Sequence, residues 1–178
     1  MIAPASVIDI TIRACEEEDV ASITKIYAHQ VPHGLASFEV EPPSETEMRQ
    51  RCREVMGKGF PYLVAAYAGE IVGYAYASPY QLRPAYRYTA ENSVYLHPAW
   101  SGRGTAVAIG AACRMRDKRT PADRGGHWRQ RQLRLDRAAS ASGLCDGRHH
   151  PVRGLQFGRW VDSVLMHCAL GFGDSTPP

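Results

Sequence analysis

The first part of the chain alternates between strand-like and helix-like patterns of hydrophobic and polar positions. Residues 7–13 alternate apolar and polar side chains, which predicts a half-buried strand. Residues 16–30 place apolar side chains at helical spacing, and acidic side chains occupy the first turn, where they suit the helix dipole. Ser44 and Glu47 form a capping-box pattern, which predicts a second helix that runs to about residue 56.

The stretch that follows predicts three more strands. Residues 62–68 form a buried strand, and residues 71–80 are its partner across a tight turn, as in a hairpin. A further strand is expected at roughly residues 90–97. The order β, α, α, β, β, β predicts an α+β fold with a mixed, mostly antiparallel sheet flanked by helices.

The composition of the sequence changes abruptly after residue 104. Residues 1–104 carry a net charge of −3 and all nine tyrosines, whereas residues 105–155 carry +7 and one aromatic residue, Trp128. A folded domain seldom changes so sharply within one core. We therefore expect a disrupted segment after the fourth strand, poorly ordered or irregularly helical, with residues 128–139 as its best helix candidate.

Properties of the whole chain narrow the class of protein. A length of 178 residues fits one domain, and a net charge of +3 is too small to indicate nucleic-acid binding by itself. The sequence has no run of 18 apolar residues and no signal-peptide pattern, and its five cysteines are scattered without metal-ligand or disulfide spacing. We expect a reduced, cytoplasmic protein that does not cross a membrane.

A glycine-containing loop follows the last of these strands. Gly102 and Gly104 would allow the backbone to approach a phosphate closely, and Arg103 would add charge-assisted hydrogen bonds. The pattern is weak on its own, and a surface turn is then the better interpretation.

Longer motifs change that interpretation. They are IDITIRACEEEDVASITKIYAHQV, ASFEVEPPS, YLVAAYAGEIVGYAYASPYQLRPAYRYTAENSVYLHPAWSGRG and FGRWVDSVLM. Through these ordered strings the chain resembles the GNAT acyltransferases, and within them the phosphinothricin acetyltransferase group. The resemblance covers residues 7–104 and 156–172 of what we expect to be a single acetyltransferase-like domain over residues 1–178.

The resemblance implies an N-acetyltransferase. Such an enzyme moves the acetyl group of acetyl-CoA, without a metal ion, directly to the amine of a small amino-acid-like acceptor, as in phosphinothricin or methionine sulfoximine. It also implies a cytoplasmic homodimer that confers herbicide resistance, with FGRWVDSVLM as a strand near the acceptor site.

The resemblance also implies roles for individual residues. Glu91 would be the general base that takes a proton from the amine. Contacts to acetyl-CoA would come from Val94, Tyr95, Leu96, Gly102, Arg103 and Gly104. Contacts to the acceptor would come from Phe38, Tyr80, Arg83, Tyr86 and Arg87. Without the resemblance, Glu91 is an edge-strand glutamate and the two loop arginines belong to a solvated basic loop.

Residues 105–155 depart from the family pattern. The helix after the glycine loop, the next strand, an asparagine-containing segment and a final helix are expected there and are not recognisable. Back-translation with GC-rich codons, read one nucleotide later, produces sequences of these kinds. We therefore hypothesise a displaced reading frame across residues 105–155, and we expect weak or no activity of the chain as written.

Three alternatives remain at this point. A GNAT enzyme for another amine, such as a protein N-terminus, would carry the same motifs. A non-enzymatic, basic nucleic-acid-binding protein would use the arginine-rich middle, although interleaved aromatic residues are missing there and nucleic acid is an unlikely partner. A metal site would rest on Cys145, His149 and His150, whose spacing is not that of zinc ligands.

Overall fold

A computed structural model describes residues 9–35, 37–116, 126–132 and 152–170 of the chain. The helices are α1 (Val20–His33), α2 (Glu45–Gly57) and α3 (Thr105–Arg116). The strands are β1 (Thr11–Ala14), β2 (Tyr62–Tyr67), β3 (Glu70–Pro79), β4 (Thr89–Leu96), β5 (Gly126–Gln132), β6 (Val152–Gln156) and β7 (Arg159–Leu170). Within the described residues these strands form one seven-stranded sheet in the order β1-β2-β3-β4-β5-β7-β6.

The sheet is mixed and mostly antiparallel, as the sequence predicts. Strands β1 to β4 pair antiparallel with their neighbours, β5 pairs antiparallel with β7, and β7 with β6. The pair of β4 and β5 is parallel. The chain therefore has to cross over between these two strands, and α3 lies on that crossover.

Helices cover both faces of the sheet, because side chains of successive strand residues point to opposite faces. One face packs on α1 and α2, with Ile23, Val31 and Met48 beside a group of stacked tyrosines. The other face packs on α3, where Ile109 and Cys113 are fully buried against small residues of the central strands. The fold is thus an α+β sheet between two helical layers.

The predicted helix at residues 16–30 is shifted in the structure. Residues 17–19 form a short 3-10 turn, so α1 begins at Val20 and continues through Pro32 to His33. Asp19 ends the turn with a nearly buried carboxylate that accepts two hydrogen bonds from Arg13, at 2.6 and 2.8 Å. The predicted strand at 7–13 is observed as β1, and residues 7 and 8 lie outside the described part.

The Ser44 hydroxyl caps the start of α2, as the capping-box pattern predicts. Ser44 Oγ accepts a hydrogen bond from the Glu47 backbone N–H at 3.2 Å, and α2 begins at the next residue after Ser44. The predictions of β2, β3 and β4 agree with the observed strands to within about one residue at each end.

Two expectations about residues 105–155 are wrong. A helix does follow the glycine loop, since Thr105, Ile109 and Cys113 recur every four residues and bury one face of α3 against the sheet. Residues 128–132, predicted as helix, belong to β5, because backbone pairing with β4 and β7 outweighs local propensity. The rest of that predicted helix, residues 133–139, lies outside the described residues.

The FGRWVDSVLM motif contributes a turn and a strand. Phe157 and Gly158 have positive φ angles of 50° and 70° and form the turn between β6 and β7. The strand prediction is confirmed from Arg159 onward. In the part of the chain that the structure describes, no helix has the length and apolar character needed to cross a membrane.

Candidate active site

The two central strands diverge at the middle of the sheet. Strand β5 pairs with residues 89–92 of β4, and its last two residues, Arg131 and Gln132, pair only with β7. Within the described chain, residues 93–96 of β4 therefore pair with β3 on one side and with no strand on the other. We call this unpaired side of residues 93–96 the open edge of β4.

The backbone groups that line the open edge follow from strand alternation. His97 donates its backbone N–H to the Val72 carbonyl at 2.9 Å, so the odd-numbered residues of this regular ladder direct their backbone groups toward β3. Val94 and Leu96 consequently direct their N–H and C=O groups to the open edge. An extended ligand lying there could pair with them as a further strand would.

The glycine loop follows the open edge directly and leads into α3. Gly102 and Gly104 adopt φ angles of 77° and 81°, a left-handed conformation that favours glycine. A Cβ built on either residue meets no atom of the described chain within 4 Å, so the loop faces open space. The exposed Arg103 guanidinium lies 5.0 Å from the centre of the Trp100 ring, which anchors it beside the loop.

The start of α3 adds polar groups to this loop. The first backbone N–H groups of a helix have no partner within the helix, and those of α3 begin at Thr105, immediately after Gly104. The buried Thr105 hydroxyl also has no hydrogen-bond partner in the described chain. Loop, helix end and arginine together suit an anion such as a pyrophosphate.

Glu91 lies on the face of β4 that is covered by α1 and α2. It shares this face with Tyr95, which packs edge-on against Tyr27 of α1 with ring centres 5.1 Å apart. Glu91 is half-buried and opposite Ser78 in the β3–β4 register. Glu91 therefore lies on the same face of β4 as the stacked tyrosines, in the part of β4 that pairs with β5.

The pKa of the Tyr76 hydroxyl depends on the charge of Glu91. Burial raises the pKa of the Tyr76 hydroxyl, a hydrogen bond with Ser93 lowers it, and the charge of Glu91 raises it again. The charges of Arg51 and Glu39 also reach this hydroxyl. Arg51 forms an ion pair with Glu39 at 2.7 Å. Two carboxylates therefore act on the Tyr76 hydroxyl: Glu39, which is paired with an arginine, and Glu91, the candidate general base.

The predicted acceptor residues of the loop between β3 and β4 lie near Glu91. Tyr80 and Tyr86 pack edge to face with ring centres 5.5 Å apart, and the Tyr80 N–H donates to the Thr89 carbonyl. Arg83 and Arg87 are exposed, and neither pairs with a carboxylate of the described residues. Thr89 begins β4 two residues before Glu91, so the loop borders one end of the strand and the glycine loop the other.

Phe38 comes from a different part of the chain. It lies in the connector between α1 and α2, and its ring occupies the space where a side chain at Gly154 of β6 would be. Gln156, in the same strand, donates from Nε2 to the Ser37 carbonyl at 2.6 Å. The connector that carries Phe38 is thus fixed by the β6–β7 hairpin.

Comparison with known proteins identifies the family. The model of the acetyltransferase (GNAT) domain matches residues 12–114, more than half of the chain. The chain belongs to the GNAT acetyltransferase family. The matched region extends into α3, past the end of the motifs at residue 104, in agreement with the helix observed there.

Two relatives of this GNAT chain have named acceptors. A phosphinothricin N-acetyltransferase of Alcaligenes faecalis is 40% identical over 182 aligned residues, which cover 94% of this chain and 86% of the relative. An L-methionine sulfoximine/L-methionine sulfone acetyltransferase of Salmonella typhimurium is 31% identical and covers 90% of this chain and 95% of its own length.

A solved structure shows the same fold with the acetyl donor. The phosphinothricin acetyltransferase of Sinorhizobium meliloti, in complex with acetyl-CoA, superposes with a TM-score of 0.86 and 34% identity, over 95% of this chain and 92% of its own. The predictions of a GNAT fold and of an acetyl-CoA-dependent N-acetyltransferase are confirmed. Among the described residues no three His, Cys, Asp or Glu side chains form a cluster able to hold a metal ion.

Several contacts of the site were not predicted from the sequence. Gln30, Ser93 and Gln156 each bond to a group beside the candidate residues, yet each is a polar side chain in an element whose pattern is set by apolar neighbours. Only the position of Gln30, between the helical apolar residues Tyr27 and Val31, gave any signal. The predicted metal alternative at Cys145, His149 and His150 lies outside the described residues.

Proposed function

We propose that this GNAT enzyme acetylates the amine of a small amino-acid-like acceptor of the phosphinothricin or methionine sulfoximine type. The support is twofold: the named acceptors of relatives that align along most of the chain, and two exposed arginines in the loop that leads into the strand of Glu91. Arg83 or Arg87 would pair with the carboxylate or phosphinate of such an acceptor in the planar, bidentate manner that guanidinium groups favour.

The acetyl donor would be held by the open edge and the glycine loop. Acetyl-CoA supplies the acetyl group as a thioester when it is bound. Val94 and Leu96 would pair with its extended arm through their backbone groups, and Tyr95 keeps this part of β4 against α1. Gly102, Arg103 and Gly104 would bind its pyrophosphate through the loop backbone and the guanidinium group.

Glu91 would serve as the general base. An ammonium group has no lone pair for attack, so the acceptor must lose a proton before or during acetyl transfer. Glu91 lies between the acceptor loop and the open edge, two residues from each along β4. A backbone N–H at the open edge would stabilise the negative charge that develops on the carbonyl oxygen.

The divergence of β4 and β5 is the single observation that carries the proposed acetyl-donor site. The decisive experiment measures acetyl-CoA binding by calorimetry and thiol release with phosphinothricin, methionine sulfoximine and a panel of other amines. We expect micromolar acetyl-CoA binding and a preference for the two glutamate-like acceptors. A preference for a protein N-terminus would show that the acceptor is not a small amino-acid-like amine. An absence of acetyl-CoA binding would refute the proposal.

Assembly and cellular role are further parts of the proposal. Leu155, Phe157 and Trp160 expose 65%, 54% and 67% of their surface on the β6–β7 hairpin, which supports a homodimer formed through this hairpin. Sedimentation of wild type and of a Trp160→Ala variant tests it. We place the enzyme in the cytoplasm, where acetylation of phosphinothricin would confer herbicide resistance on the cell.

We also propose that the chain is encoded in a displaced reading frame across residues 105–155. The support is the arginine-rich composition of residues 105–155, which returns to the family motif at Phe157. Turnover of the chain as written is then expected to be weak. The nucleotide sequence of codons 100–160 tests this. If resequencing confirms the codons of residues 105–155 in the present frame, a sequencing error is excluded as the cause.

A further inference from the structure

Gln30 connects the end of α1 to the end of β4. Its side-chain Nε2 donates a hydrogen bond to the Leu96 carbonyl oxygen at 3.0 Å. Leu96 is the last residue of β4, and its carbonyl is one of the groups that face the open edge. The bond therefore lies where the strand ends and the approach to the glycine loop begins.

The conformation of the Gln30 side chain depends on Gly34, the residue that follows α1. The Gly34 N–H donates to the Gln30 carbonyl at 2.7 Å and closes the last helical turn. A Cβ at position 34 would collide with Gln30 Oε1 and would lie 2.8 Å from the Gln30 carbonyl oxygen. Glycine at this position therefore leaves the space that the Gln30 side-chain amide occupies.

A second glutamine fixes the same turn from the other side. Gln156 of β6 donates from Nε2 to the Ser37 carbonyl at 2.6 Å and to the Gly34 carbonyl at 3.3 Å. Gln156 is 8% exposed, so these bonds are shielded from water. The turn after α1 is thereby fixed between β6 and the residue that bonds to β4.

We propose that Gln30 is a positioning residue for the acetyl donor, whose amide fixes the Leu96 carbonyl and so holds the open edge of β4 in the geometry that pairs with the donor's arm. This inference rests on the proposed acetyl-CoA site. Without the Gln30 amide, the Leu96 carbonyl would bond to water and the end of β4 would lose this link to α1. With the Gln30 bond in place the edge is preorganised, and less ordering is left to occur on binding.

The position of Gln30 also defines which groups stay available to the arm. The side-chain amide occupies one acceptor position of the Leu96 carbonyl, and on the open edge the backbone groups of Val94 have no strand partner in the described chain. The arm would consequently pair mainly with Val94 and with the Leu96 N–H. Gln30 would thus set the register of the arm on the strand, and through it the place of the thioester relative to Glu91.

Replacement of Gln30 by methionine tests the inference. Methionine keeps the length of the side chain and removes its donor, so the Leu96 carbonyl loses its partner. We expect acetyl-CoA to bind about three- to tenfold more weakly by calorimetry, as the loss of one net hydrogen bond implies, with binding of the acceptor unchanged. Gln50→Met is the matched control, because the side-chain amide of exposed Gln50 donates to Glu54 on the surface of α2.

A second variant perturbs Gln30 without replacing it. Gly34→Ala should displace the Gln30 amide and weaken acetyl-CoA binding similarly, and the double variant should bind no more weakly than the weaker single variant. Thermal unfolding of each variant identifies a purely structural effect. A lower melting temperature with unchanged acetyl-CoA affinity would overturn the inference.

The outcomes separate this inference from the function on which it rests. If wild type binds acetyl-CoA and Gln30→Met binds it equally well, the inference is wrong and the proposed function stands. If wild type fails to bind acetyl-CoA, the proposed function fails and the inference fails with it. Weaker binding by Gln30→Met and by Gly34→Ala, with an unchanged Gln50→Met, supports both.

Discussion

The Phe38 ring lies directly against Gly154, so closely that a Cβ on the glycine would come within 2.6 Å of Phe38 Cδ1. The two residues are far apart in the chain and belong to the α1–α2 connector and to β6. Because glycine occupies position 154, the hairpin can support the one aromatic side chain that the connector offers to the proposed acceptor site.

Gly154→Ala is expected to weaken acceptor binding. The new methyl group would push the flexible Phe38 ring out of its place, and the acceptor would bind severalfold more weakly, whereas acetyl-CoA affinity would not change. Calorimetric titration with phosphinothricin and with acetyl-CoA measures both. Gly57→Ala is the control, since a Cβ there meets no described atom within 4 Å. If Gly154→Ala and wild type bind the acceptor equally well, Phe38 does not contribute to the acceptor site.

Glu91→Gln is expected to slow acetyl transfer on the order of 100-fold or more, the usual contribution of a general base. The amide keeps the shape of the side chain and cannot accept the proton, so acetyl-CoA affinity should be retained. Single-turnover thiol release as a function of pH measures the effect, and the variant should lose the rise of rate that accompanies ionisation of the base.

The matched control for Glu91 is Glu70→Gln, an exposed glutamate at the start of β3. It should transfer acetyl groups at the wild-type rate. If Glu91→Gln retains the wild-type rate and pH profile, another group takes the proton and the role of Glu91 must be abandoned.

Gly104→Ala is expected to lower acetyl-CoA affinity as well as stability. An alanine at φ 81° costs about 1 kcal/mol or more, and relief of this strain would rotate the loop N–H groups away from the pyrophosphate. Gly59 separates the two effects, because its φ of 79° lies in the turn between α2 and β2, at the other end of β2 from the Tyr67–Trp100 contact beside the glycine loop.

The comparison of the two glycine variants decides the role of the loop. Gly59→Ala should reduce the melting temperature by a similar amount and leave acetyl-CoA binding unchanged, as measured by thermal unfolding and calorimetry. Equal acetyl-CoA affinities of the two variants would show that the conformation of Gly104 serves the fold alone.

The sequence was most informative where local chemistry and tertiary structure agree. Ser44 and Glu47 predicted the start of α2, and the continuous apolar run around Val64 predicted a buried strand, because both signals act within a few residues. The motifs around Glu91 and Gly102 predicted the family and the neighbourhood of the site. They did not predict that, in the described chain, residues 93–96 of β4 have a strand partner on the β3 side alone, which depends on where β5 departs.

The failures have the opposite cause. Trp128 begins the best helix candidate that the sequence offers in this segment, yet the residue belongs to β5, which forms through backbone bonds with strands from distant parts of the chain. The basic composition concealed α3 for a related reason. The buried positions described in that helix are Thr105, Ile109, Gly110 and Cys113, and they precede most of the arginines.

Asp19 provides a test of stability against pH. Burial alone would raise the pKa of its carboxyl, but hydrogen bonds from Arg13 and from the Glu16 N–H favour the ionised form, and the pKa is lowered overall. A carboxylate whose pKa is lower in the folded than in the unfolded state stabilises the fold above its unfolded pKa of about 4. That contribution is lost as the pH falls toward the folded pKa.

Asp19→Asn should therefore lower the free energy of unfolding by about 1–2 kcal/mol at pH 7, since hydrogen bonds to an ionised group are lost. The difference from wild type should shrink as the pH is lowered from 5 to 3, because the wild-type carboxylate becomes protonated as the variant stays neutral. Urea unfolding at a series of pH values measures it, with the exposed neighbour Glu18→Gln as control. A difference that is constant across this range would mean that Asp19 contributes through packing, since only an ionised carboxylate can make its contribution depend on pH.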